Sequence, residues 1–133
     1  MTTTVFPTIS FADPRKGLDF LIAVGFTVTA AHWSTADPSV LEHAELSWPG
    51  GGAVMCGSAA REATGSYERR VGAASSYCVV AADAAVDEVH AKALAAGATT
   101  LMPPEDQDYG GRSVSVRDPE GNQWSFGSYA GAG

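Results

Sequence analysis

Cations are scarce in this chain. Eight Lys plus Arg stand against fifteen Asp plus Glu in 133 residues, a formal charge of −7. Nucleic-acid binding needs clustered cations to replace the counter-ions of the phosphates, so this balance argues against such a partner. The acidity serves solubility, or it lines a groove for a cationic ligand. Cysteine is nearly absent. Cys56 and Cys78 lie far apart and form no CxxC pair, so they indicate neither a disulfide framework nor a thiolate metal site. Both fall in apolar, strand-like runs, as reduced buried thiols do. No stretch approaches the ~18 apolar residues of a membrane span. The opening Met1-Thr2-Thr3-Thr4-Val5 shows no basic segment leading into an apolar one, the pattern of a secretory signal. These absences set the expectation of a cytoplasmic protein with neither membrane nor nucleic acid as partner.

What the chain does have is a duplication. Asp13-Pro14 opens an amphipathic segment ended by Gly25, and a turn Trp48-Pro49-Gly50-Gly51 follows. Asp83 opens a second such segment ended by Gly97, and Asp118-Pro119-Glu120-Gly121 follows, each mark about seventy residues after its counterpart. Around these marks the local signals repeat. Residues 5–11 alternate as a strand; Asp13 caps a helix with Pro14 at its first position; residues 26–31, 40–47 and 53–58 read as three more strands. After a polar linker over residues 59–72 come a strand at 75–82, a helix capped by Asp83, a strand at 98–102, a loop at 103–111 and a hairpin of strands 112–117 and 122–129. Each unit is βαβββ. A unit of ~60 residues buries too little surface to be stable alone, so the two should pack as one domain. The expected organisation is a single domain over 1–133, with a first module at 1–60 and a second at 73–129.

The residues Phe11-Ala12-Asp13 leading into Leu18-Asp19-Phe20-Leu21 and Gly25-Phe26, with His43-Ala44-Glu45-Leu46 and the stretch Val116-Arg117-Asp118-Pro119-Glu120-Gly121-Asn122-Gln123-Trp124, resemble the vicinal oxygen chelate superfamily. That superfamily holds glyoxalase, bleomycin resistance proteins and dioxygenases. The resemblance covers nearly the whole chain, and the Asp-Pro-x-Gly-Asn turn between strands is its most specific part. It implies an α+β fold of two βαβββ modules in tandem, forming a curved mixed sheet around a cavity, and it implies a homodimer. It does not imply one reaction, because the fold hosts many.

Metal-dependent members carry His, Glu or Gln on the first and last strands of each module, and the matching positions here are Phe6, Met55, Tyr77 and Ser125, with Ser76 as a substitute for Tyr77 if the register slips. Phe and Met cannot hold a hard divalent cation, and Tyr and Ser hold one poorly at neutral pH. No metal and no other cofactor is therefore expected. Of the three histidines, His32 reads as a loop residue and His90 as a solvent-facing helical one. His43 and Glu45 share one face of a strand, since they are two residues apart. They are either exposed or in contact with a ligand.

Along the strands, Phe6, Thr8, Ser10, Met55, Tyr77, Ser113, Ser115, Gln123 and Ser125 are expected on the cavity face. Val5, Ile9, Val54, Cys56, Val80, Val114, Val116, Trp124 and Phe126 are expected against the helices. Hydroxyls and aromatics suit a neutral or weakly cationic organic ligand. Trp33 and Trp48 stand beside turns as candidate stacking residues at the rim. The loop holding Tyr109 and Arg112 is a candidate cover. The ligand set is then Phe6, Thr8, Trp33, His43, Glu45, Met55, Tyr77, Tyr109, Arg112 and Ser125. The function expected is metal-free binding of a small organic molecule, such as a toxic compound or antibiotic that is sequestered. The alternative is a glyoxalase-like lyase or isomerase, or a dioxygenase, with a metal site of another kind.

Overall fold

The computed structural model describes residues 2–61 and 65–132. The first module runs β1 (Thr8–Phe11), α1 (Pro14–Val24), β2 (Thr27–Trp33), β3 (Leu41–Ser47) and β4 (Ala53–Ser58). The second runs β5 (Ser75–Val79), α2 (Asp83–Ala95), β6 (Thr99–Asp106), β7 (Arg112–Arg117) and β8 (Gln123–Gly127). Each module builds its own four-stranded mixed sheet, in the orders β1-β4-β3-β2 and β5-β8-β7-β6. The pairs β1/β4 and β5/β8 are parallel and the rest antiparallel. The expected pair of βαβββ modules is what the chain forms.

Helix α1 starts as its sequence demands. The Asp13 carboxylate accepts the Lys16 N–H, and Pro14 takes a position where no N–H is needed. Gly25 ends it at φ +130. Helix α2 departs from the expectation that Asp83 caps it. The cap is Ala82, without a side-chain hydrogen bond, and Asp83 lies inside the first turn, where its Oδ1 accepts the Ser128 hydroxyl at 2.5 Å. A partner from the end of β8 has drawn the carboxylate away from the helix backbone.

Two strands are longer than their sequences suggest. β6 continues through Pro103-Pro104 to Asp106, leaving only residues 107–111 as the turn. Prolines are tolerated because β6 is an edge strand with an irregular register between Met102 and Glu105. β2 reaches Trp33, so His32 lies on a strand rather than in a loop. Conversely, the strand expected over 5–11 begins only at Thr8, and Val5, expected against a helix, is 79% exposed.

The inward faces of both sheets and both helices form one core, which includes Ile9, Phe11, Leu21, Leu46, Val86, Val114, Val116, Trp124 and Phe126. The modules lock together reciprocally. The turn of the second module places Glu120 Oε1 on the N–H of Ala12, at the β1–α1 junction. The turn of the first places the Trp48 indole N–H on the Val79 carbonyl, 2.7 Å away at the β5–α2 junction. An aromatic seam joins them: Phe26 lies 4.8 Å from Trp48 and 5.6 Å from Trp124, and Trp48 lies 5.8 Å from Phe126, centroid to centroid. Offset and tilted ring pairs of this kind add to the area they bury.

Candidate ligand-binding site

Strand register decides which residues stand side by side on the open face of each sheet, the face away from the helices. On the first sheet Thr8 pairs with Met55 and Met55 with Glu45. On the second Tyr77 pairs with Ser125 and Ser125 with Ser115. Thr8, not Phe6, is thus the counterpart of Tyr77. Each lies six residues before the first helical residue of its module, Pro14 or Asp83, so Phe6 falls two positions short of the counterpart. Phe6 precedes β1, half-buried. The four positions in register, Thr8, Met55, Tyr77 and Ser125, offer two hydroxyls, a phenol and a thioether. That donor set does not fit a hard divalent cation. Among the described residues no group of three His, Cys, Asp or Glu side chains gathers as metal ligands.

Further along the first sheet, His43 Nε2 lies 2.8 Å from Glu45 Oε2, with both side chains partly exposed. His32 pairs with His43 across β2 and β3, their rings stacked at 6.5 Å. A bulge at Glu42 then re-phases β3, so Trp33 pairs with Leu41 of the core. Trp33 accordingly turns to the helix side, where the Arg15 guanidinium of α1 covers its ring at 4.3 Å. The structure does not bring Trp33 to the open face.

On the second sheet the Tyr77 hydroxyl donates to the Tyr129 carbonyl at 2.8 Å, and Tyr109 packs edge-on against Tyr129 at 5.1 Å. Burial, then the neighbouring Tyr109, pushes the Tyr77 phenol above its ordinary value. Ser115 and Ser125 share a hydrogen bond of 2.6 Å. Arg112 points elsewhere. Its guanidinium binds both carboxylate oxygens of Asp87 on α2, at 2.9 and 3.0 Å, and reaches Asp106 at 3.3 Å. Its hydrogen bond with Arg112 holds Asp87 below the usual carboxylate range.

A cavity lies at the module junction. It measures about 740 Å³, and its walls include Phe26, Trp48, Trp124, the Pro49–Gly50–Gly51–Gly52 turn, Pro7 and residues 76–81. Tyr77 is its one residue from the candidate set read in the sequence. Trp48 was legible there as a rim aromatic, whereas Phe26 and Trp124 look like ordinary core residues in their own strands. Only the docking of one module on the other brings them to a common wall.

Comparison with known proteins accounts for this architecture. A family model described as Glyoxalase/Bleomycin resistance protein/Dioxygenase superfamily matches residues 8–126. The chain belongs to this superfamily. The resemblance carried by the Asp118-Pro119-Glu120-Gly121 turn and its flanking strands is borne out. Among solved members of the same fold, TioX from Micromonospora sp. ML1 is 28% identical with a TM-score of 0.73, over 95% of this chain and 98% of that one. A superfamily member from Sphaerobacter thermophilus DSM 20745 is 24% identical, TM-score 0.59, over 96% and 97%. A family enzyme from Burkholderia phytofirmans PsJN is 18% identical, TM-score 0.66, over 92% and 94%. The last two likenesses concern the fold alone. No curated protein matches the chain.

Proposed function

We propose that this superfamily member binds a small organic molecule without a metal, holding it by stacking at the module junction and so sequestering a toxic compound such as an antibiotic. The observation that carries this reading is the cavity of about 740 Å³ walled by Phe26, Trp48 and Trp124. Its volume falls in the ~300–1,000 Å³ range of ligand sites, and its walls are apolar with a few polar edges. The donor set Thr8, Met55, Tyr77 and Ser125 supports metal-free binding, because none of these side chains replaces lost hydration water well. Thr8, Met55, His43, Glu45, Tyr77, Tyr109 and Ser125 are proposed as further contacts from the open faces. A homodimer is part of the proposal. Tyr77 (46% exposed), Val79 (40%) and Met102 (58%) leave apolar surface that a second copy would cover.

The test is titration of a panel of planar aromatic compounds and cationic antibiotics, read by tryptophan fluorescence. The expected result is saturable quenching that Trp48→Ala weakens by about tenfold or more, as loss of a central aromatic anchor does. Stoichiometric metal in protein purified without chelator would overturn the metal-free part. A mass by light scattering near the 13.7 kDa of one chain would overturn the dimer.

The contact between His43 and Glu45 supports a second reading, a lyase or isomerase that moves a proton with Glu45 as base. Turnover lost in Glu45→Gln, with binding retained, would favour it.

A further inference from the structure

Gly57 in β4 and Gly127 in β8 lie seventy residues apart, and neither has the positive φ that demands glycine. What they provide is room. A Cβ built on Gly57 would fall 1.6 Å from Arg61 Nη1, and one on Gly127 would fall 2.2 Å from the Tyr77 hydroxyl. At equivalent places, then, one sheet seats a tyrosine against its strand and the other seats a guanidinium.

That guanidinium has unused donors. Arg61 Nη1 and Arg69 Nε are buried and have no hydrogen-bond partner among the described residues. Arg69 donates to the main-chain carbonyl of Arg61 at 3.4 Å and lies 5.5 Å over the Tyr67 ring, which ties its side chain to the Arg61 backbone. Burial and then the Arg69 charge both hold Arg61 below its ordinary basicity. Glu42 attracts Arg61 only through space, without a hydrogen bond. Other arginines are engaged: Arg15 on Trp33, Arg70 on Glu68, Arg112 on Asp87 and Asp106, and Arg117 on the Gly121 carbonyl. In a chain with nearly twice as many acids as bases, two neighbouring arginines without a bonded carboxylate among the described residues call for an anion.

A polar hollow lies near by, lined by neither Arg61 nor Arg69 but one strand position from the seat of Arg61. It measures about 170 Å³ and opens between β1 and the returning segment, lined by Thr8, Ser10, Tyr67 and Arg70, and its one acid, Glu68, is held by Arg70. Ser10 is the register partner of Gly57 and so adjoins both the hollow and the seat of Arg61. The location is separate from the aromatic cavity, whose β4 residues are Ala53 and Val54; at ~3.3 Å per residue it lies roughly 10 Å further along the strand.

We propose that Arg61 and Arg69 form an oxyanion site on the open face of the first sheet, binding a carboxylate or a phosphate. Inorganic phosphate and benzoate are titrated separately at constant ionic strength against chloride, with binding read from arginine side-chain NMR shifts. Saturable shifts at Arg61 are expected. Arg61→Lys, which keeps charge but loses the fork, and Arg69→Gln should each weaken binding by about tenfold, and Arg117→Gln should leave it unchanged. Circular dichroism checks that each variant folds; if Arg61→Lys does not, Arg69→Gln carries the test. Response to phosphate alone identifies an inorganic or phosphoryl ligand, and response to benzoate identifies an organic carboxylate. Absence of saturation with both anions overturns the proposal, as does binding that survives both substitutions.

Discussion

The Trp124 indole N–H donates to Asp118 Oδ2 at 2.8 Å, and both residues are buried. Asp118 Oδ1 meanwhile accepts the N–H groups of Glu120, at 2.8 Å, and Asn122, at 3.0 Å. One carboxylate thus closes the turn and anchors the aromatic wall. Asp118→Asn puts an amide NH2 among donors, leaving at least one donor unpaired. We expect a loss of ~1–3 kcal/mol, and a similar loss for Trp124→Phe, which leaves Oδ2 without its donor instead. Denaturant unfolding measures both, and a change below half a kcal/mol in each would show that the carboxylate is not the anchor.

Gly17 sits inside α1, where alanine ordinarily favours the helix by ~1 kcal/mol. Here a Cβ would fall 2.5 Å from the buried Phe11 ring. Gly17→Ala is therefore expected to destabilise by ~1–3 kcal/mol, the cost of overpacking a filled core. Gly127→Ala should displace Tyr77 and break its bond to the Tyr129 carbonyl, which a lowered thermal midpoint would reveal and an unchanged one would refute.

Burial pushes the thiols of Cys56 and Cys78 up to about 12 each. Raised folded values favour the protonated thiol, so this stability is fully present below the unfolded value near 9 and is lost as pH rises from 9 towards 12. Each thiol then contributes a slope of roughly 1.4 kcal/mol per pH unit in that window. Unfolding curves between pH 8 and 11 should fall more steeply for the native chain than for Cys56→Ala/Cys78→Ala. Equal slopes would refute it.

Glu120 bonds the N–H groups of Ala12 and Asp13 from the other module. Glu120→Ala should cost ~0.5–2 kcal/mol, in line with loss of a helix-start acceptor, and should speed hydrogen exchange at Ala12. Exchange that does not change at Ala12 would place the bond elsewhere.

Much of the fold was legible because period-two alternation survives in the sequence. Ile9, Val54, Cys56, Val114, Val116, Trp124 and Phe126 are all buried, as their alternation indicated. The misreadings have identifiable physical causes. The bulge at Glu42 sends Trp33 to the helix side, and no turn residue marks it. The Ser128 hydroxyl takes the Asp83 carboxylate, an attraction between groups 45 residues apart that local capping rules cannot foresee. Arg112 follows Asp87 of α2 for the same reason.

The chain by itself determined its duplicated βαβββ units and their inward faces, because these follow from residue type and short-range periodicity. Tertiary structure alone decided that Phe26, Trp48 and Trp124 share a wall, and that Arg61 lies on Gly57 with its Nη1 unpartnered among the described residues. Both depend on where distant segments come to rest. Burial, not sequence neighbourhood, is what gives an aromatic ring or a guanidinium its chemical opportunity.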